Sequence, residues 1–129
     1  MSILEQESFI SSIHPFENLT QNELETFVEN IDVVYFKENE IVQKQDSEPT
    51  HLYFILKGLI QEKKENEVLS LYSKNEIFDS ISLIENFSKN SFITAEETIC
   101  YTLPREIFMK TLHENDKLKK EITTLKKSK

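Results

Sequence analysis

The chain holds three histidines, His14, His51 and His113, and one cysteine, Cys100. These residue types most often ligate metals or serve as base and nucleophile near neutral pH. Their spacing assembles neither kind of site. The histidines lie in three different stretches, and none has a second His or a Cys at metal-ligand spacing. His51 opens an apolar, β-rich run, and His113 follows Leu112 in a helical one. Cys100 lies between Ile99 and Tyr101, where a small buried core residue is expected rather than a reactive thiol. Glu96 and Glu97 are adjacent carboxylates, but neighbours on a strand point to opposite faces and cannot share a substrate. Tyr35-Phe36 and Tyr53-Phe54 alternate like core and lack the surrounding cations of a base-stacking platform. With no Ser/His/Asp order, phosphate loop or metal motif, the residues give no case for catalysis, and no cofactor is expected.

The elements that would position any site follow from composition and period. The chain has 129 residues, 15 Lys plus Arg against 23 Asp plus Glu, one Cys, no Trp, three Pro and a single glycine, Gly58. One domain with one core is the expectation at this length. A lone cysteine excludes an internal disulfide, and no apolar run approaches a membrane span. The start, MSILEQESFISS, has no basic n-region, so no signal peptide is read and a cytoplasmic setting is expected. Residues 1–116 carry nine cations and 22 carboxylates, while 117–129 carry six Lys and Glu121. The acidic body disfavours a nucleic-acid footprint on the domain itself. The basic end reads as a solvated helix terminus whose lysines complement the macrodipole.

Residues 1–30 read as helical. Ile3, Leu4, Phe9, Ile10 and Ile13 form a loose apolar face that ends before His14-Pro15. Thr20-Gln21-Asn22-Glu23 is a capping-box pattern opening a second helix, with Leu24, Phe27 and Val28 inward. Residues 31–103 change to short β runs, with His51-Leu52-Tyr53-Phe54-Ile55-Leu56 the strongest. Their number and spacing suggest about eight strands in an antiparallel jelly-roll β-barrel. Residues 104–129 return to helix, with Pro104 at its first position. There Phe108, Thr111, Asn115, Leu118, Ile122 and Leu125 recur on alternating steps of three and four. That is the seam of a homodimeric coiled coil with a polar Asn115, or the buried stripe of a long helix packed on its own barrel. The fold class is therefore mainly β with flanking helices.

Particular residues in this order carry a resemblance. Phe16-x-x-Leu19, Tyr35-Phe36-Lys37, Leu52-Tyr53-Phe54-Ile55-Leu56-Lys57-Gly58, Asn75 to Ile84, Ala95-Glu96-Glu97-Thr98 and Leu103-Pro104-Arg105-Glu106-Ile107-Phe108 together resemble the cyclic-nucleotide-binding domain family over residues 15–112. The resemblance implies a phosphate site built on Phe78, Asp79, Ser80, Ile81, Ser82, Lys89, Asn90 and Ser91. In such a site, backbone N–H groups at the start of a short helix hold the cyclic phosphate. A Gly permits close approach, a Glu accepts from the ribose and an Arg pairs with the phosphate. Here the Gly-Glu pair falls on Asp79-Ser80 and the Arg near Asn90 or Ser91, while Arg105 is the only arginine in the chain. The site is expected to be degenerate, with Asp79 capping the short helix itself and cAMP and cGMP poorly bound.

His14-Pro15-Phe16, Ala95-Glu96-Glu97 and Leu103-Pro104-x-Glu106-x-Phe108 are also similar to the N-terminal sensor of bacterial nucleotidyltransferases with cystathionine-β-synthase-type domains. The function implied is a regulatory module with a small-molecule or nucleotide effector. Two alternatives remain open: the effector half of a catabolite-activator-like transcription factor, and a ligand-free dimerisation or protein-interaction module.

Overall fold

The computed structural model describes residues 2–125. The N-terminal helices α1 (Ile3–Ser11) and α2 (Gln21–Asn30) flank a 3₁₀ turn at Phe16–Asn18. Both helices start with a complete capping box, Ser2 with Glu5 and Thr20 with Glu23. Seven strands are present rather than eight: β1 (Asp32–Phe36), β2 (Ile41–Gln43), β3 (His51–Lys57), β4 (Ile60–Lys64), β5 (Glu67–Tyr72), β6 (Ser91–Thr94) and β7 (Thr98–Pro104). After β5, Ile77 makes a single bridge to Phe54 and the chain then turns into helix α3 (Ser80–Glu85). Glu96 and Glu97 lie in a bend between β6 and β7, not on a strand.

The strands form two antiparallel sheets, β1-β7-β3 and β2-β6-β4-β5, so the expected barrel is not closed. Between the sheets Ile55 and Cys100 meet Ile60, Phe78 and Phe92, all buried. Burial pushes the Cys100 thiol up to about 12, as suits an inert core residue. The outer face of β1-β7-β3 packs under helices from both ends of the chain. Leu52, Phe54, Tyr101 and Leu103 share one core with Ile10, Phe16, Leu24, Phe27, Phe108, Leu118 and Ile122. Phe16 sits 5.3 Å from Phe54 and Phe9 meets Tyr101 edge-on at 5.7 Å, ring centre to ring centre.

The C-terminal segment is not one long helix. It divides into α4 (Arg105–Glu114) and α5 (Asp116–Thr124), with Pro104 as the N-cap of α4 rather than its first helical residue. Asn115 is extended (φ −131°, ψ 92°), and its side-chain oxygen accepts from the Leu118 amide at 3.0 Å as the N-cap of α5. Its amide nitrogen donates to the Asn18 carbonyl at 3.1 Å and to Glu23 Oε1 at 2.8 Å. Phe108, Thr111, Leu118 and Ile122 are buried within the chain. The three-and-four spacing is thus used on the chain's own core, and the break at Asn115 leaves no continuous seam. Lys126, Lys127 and Lys129 lie outside the described residues.

Turns without glycine take the left-handed conformation at Asn39, Asp46, Glu65, Asn75, Asp79 and Asn86. At the turn after β2 this residue is Asp46. Gly58 (φ +112°) ends β3 where only glycine fits: a Cβ would stand 2.6 Å from both the Glu97 carbonyl oxygen and Thr98 Cα, and would strike Thr98 Oγ1.

Two outcomes are expected. Gly58→Ala destabilises by roughly 2–4 kcal/mol, combining left-handed strain with a backbone clash, as read from urea midpoints. Asn115→Leu destabilises by about 1–2 kcal/mol through loss of the cap and of the bonds to Asn18 and Glu23. A coiled-coil seam would instead gain stability from leucine at that position, so a stabilised Asn115→Leu overturns the cap assignment.

Candidate functional site

Strand β5 ends at Tyr72, and the chain returns along β3 through backbone bonds from Asn75 N to Ile55 O and from Ile55 N to Glu76 O, both 2.9 Å. This delivers Phe78 between the sheets, where it stacks on Phe92 at 4.7 Å and on Tyr53 at 5.5 Å with near-parallel rings. Asp79 then turns left-handed (φ 55°, ψ 36°) and opens α3. The far end of α3 is fixed by Arg105, whose Nε donates to the Leu83 carbonyl at 2.7 Å. The single arginine therefore clips α3 to the start of α4 and takes no part in the site.

A pocket of about 170 Å³ opens beside α3. Its lining includes Phe78, Asp79, Ser80, Ile81, Ser82, Lys89 and Asn90, seven of the eight expected site residues. Ser91 is outside it; its hydroxyl accepts from the Gln45 amide at 3.0 Å, on the far side of β6. Of the two positions at which the resemblance places an arginine, Asn90 lines the pocket and Ser91 does not. Two groups in the lining carried no signal in the sequence. Glu62 reaches in from β4, accepting from Asn90 Nδ2 at 2.6 Å and from the Tyr72 hydroxyl at 3.0 Å. Ile122, Thr123 and Leu125 of the α5 end close the other side, so two residues expected in a dimer seam instead line the pocket.

Asp79 does not cap α3 with its side chain. The left-handed backbone turns the carboxylate sideways, where Oδ2 accepts from Gln43 Nε2 at 2.6 Å and from Ser88 Oγ at 3.3 Å. Gln43 and Ser88 are themselves buried. Burial pushes the Asp79 carboxyl up to about 6; a Ser82 hydrogen bond opposes the rise, the nearby Glu62 charge adds to it, and Ser88 and Gln43 oppose it. At neutral pH the pocket thus presents two carboxylates, Glu62 and Asp79, and one cation, Lys89. Among the described residues no cluster of His, Cys, Asp and Glu could hold a metal ion, and no helix is long and apolar enough to cross a membrane. His14 pairs with Glu17 and Glu121 at the surface, and His51 with the Thr50 hydroxyl.

The raised Asp79 value sets a sign for stability against pH. Between about pH 4 and 6 the folded chain keeps a proton that the unfolded chain releases, so stability falls as pH rises through this window and is level above it. Asp79→Asn, whose amide oxygen can still accept from Gln43, is expected to gain about 1–2 kcal/mol at pH 7.5 and nothing near pH 4. Equal gains at both pH values in urea titrations would show that Asp79 does not titrate with folding.

Comparison with known proteins fits this geometry. The family model described as "Cyclic nucleotide-binding domain" matches residues 33–115. Mouse cGMP-dependent protein kinase 2 is 23% identical over 124 residues, covering 90% of this chain and 16% of that protein's length. The chain thus spans about one-sixth of the curated relatives it matches. Among solved structures, the sensor domain of the transcriptional regulator DNR from Pseudomonas aeruginosa superimposes with a TM-score of 0.83 at 14% identity, covering 94% of this chain and 85% of that one. The regulatory subunit of a cAMP-independent protein kinase A from Trypanosoma cruzi, bound to guanosine, gives a TM-score of 0.76 at 14% identity, covering 92% and 46%. With a family model matched over most of its length and the same fold in these structures, the chain belongs to the cyclic nucleotide-binding domain family.

Proposed function

We propose that the chain is a non-catalytic regulatory sensor whose pocket does not take cAMP or cGMP in the usual way. The observation that carries this reading is the Asp79 carboxylate, fixed in the pocket by Gln43 and Ser88 with Glu62 beside it and no arginine in the lining. A cyclic phosphate would meet two negative charges and Lys89 alone on the other side. Losing a desolvated charge-assisted pair commonly costs about 2–5 kcal/mol, or two decades or more in affinity, before any repulsion is added.

The same carboxylates are good acceptors for neutral hydroxyl donors. A nucleoside without a phosphate avoids the repulsion, and guanosine is what the trypanosomal regulatory subunit of this fold carries. The readout would pass through the end of α5, where Ile122, Thr123 and Leu125 line the pocket. A ligand shifts α5 only if it binds two positions of that helix unequally. The downstream output, whether a nucleotidyltransferase-type, DNA-reading or other partner, belongs to whatever α5 touches next.

Calorimetry tests the reading. The wild-type chain is expected to bind cAMP and cGMP no tighter than about 1 mM, and the triple variant Asp79→Gly, Ser80→Glu, Asn90→Arg to bind cAMP at least about tenfold better. Glycine suits the left-handed turn at 79, so the variant is expected to fold. Micromolar cAMP binding by the wild-type chain would sink the proposal. Guanosine in a parallel titration distinguishes a nucleoside site from an empty one.

A further inference from the structure

The sheet β1-β7-β3 is apolar on both faces, but the helices cover only part of the outer one. Val33 pairs with Tyr101 and Tyr35 with Ile99 across β1 and β7, so these four side chains share that face. Helix α1 meets this face through Phe9, which packs on Tyr101, and Gln6 at the groove's edge. Tyr35 is left 73% exposed and Val33 46%. Two hollows meet here, of about 520 and about 400 Å³, and share Tyr35 and Ile99 in their linings. A β1 sequence of Val33-Val34-Tyr35-Phe36 is the pattern of a strand buried on both sides. Within one chain it is not.

Charge narrows the choice of cover. The hollows are rimmed by Lys37, Lys57 and Lys74 against Glu97 alone, on a body that is otherwise strongly acidic. The occupant should therefore be apolar with carboxylates beside it. The first turns of α1 have this composition. Ile3 and Leu4 are 64% and 74% exposed, and Glu5 and Glu7 flank them. Gln6, three residues from Ile3 on the same helix, already lines the groove. A two-fold axis can thus set each α1 start over the other protomer's groove, an isologous contact in which each copy gives and receives the same surface.

We infer that the exposed groove over Val33, Tyr35 and Ile99 is a homodimer interface that receives Ile3 and Leu4 of a second copy of this chain. The contact uses none of the pocket residues and none of the C-terminal helices, so it stands apart from the ligand reading.

Sedimentation velocity of the full chain from about 5 to 200 µM, a range that spans a micromolar dimer, tests it. The wild type should pass from 15.2 kDa toward twice that mass as concentration rises. Tyr35→Glu and Leu4→Glu, both at exposed positions, should each weaken the dimer about a hundredfold or more. Lys37→Glu with Lys57→Glu should weaken it about tenfold, with the wild-type dimer itself loosened by salt. Leu71→Glu, exposed on the other sheet, should leave it intact, and thermal melts confirm that each variant folds. A wild type that stays at 15.2 kDa throughout overturns the inference, as does a dimer indifferent to Tyr35→Glu.

Discussion

Leu52, Phe54, Tyr101 and Leu103 are buried on the outer face of one sheet by helices drawn from both ends of the chain. The rest of the structure answers to that requirement. A three-stranded sheet with large side chains on both faces cannot stand in water, so both termini must come to the same place. Helices α1 and α2 supply Ile10, Phe16 and Phe27; α4 and α5 supply Phe108, Leu118 and Ile122. Asn115 turns the chain back, caps the new helix, and anchors the corner on the Asn18 carbonyl and the carboxylate of the α2 capping box. The pocket follows from this packing, because the end of α5 that completes the core also walls the space beside α3.

In the pocket the decision lies with one backbone angle and one charge. The left-handed turn at residue 79 aims α3, a conformation glycine adopts without strain and aspartate tolerates. A carboxylate there finds two buried donors, Gln43 and Ser88, and stays half-sheltered without a cationic partner. Burial raises its affinity for a proton, and the two donors only partly offset that rise. The turn thus has a geometry that glycine could also supply, while the carboxylate adds negative charge to the pocket lining.

Much of this was legible in the sequence. The seven β runs along the chain, both N-terminal helices and the Thr20–Glu23 capping box follow from local patterns that the tertiary structure leaves in place. The stretch from Phe78 to Ser82 with Lys89 and Asn90 was named by the family resemblance rather than by local pattern, and these residues line one pocket. The break at Asn115 was hidden because the spacing of a coiled-coil seam and of a core-facing stripe is the same. The pair Asn115-Asp116, a helix-start signal inside a helical run, was the available clue. Glu62 and Gln43 were invisible for another reason. They reach the site across the sheet, by register with β6 and by burial beside Ser88, and nothing in their own neighbourhoods marks them.

The bond from Asn115 to Asn18 joins residues 97 apart in sequence. Contacts of such span close late, since the intervening chain must already be ordered to repay the loop entropy. Docking of α5 therefore does two things at once: it ties the two ends of the domain together and walls the pocket beside α3.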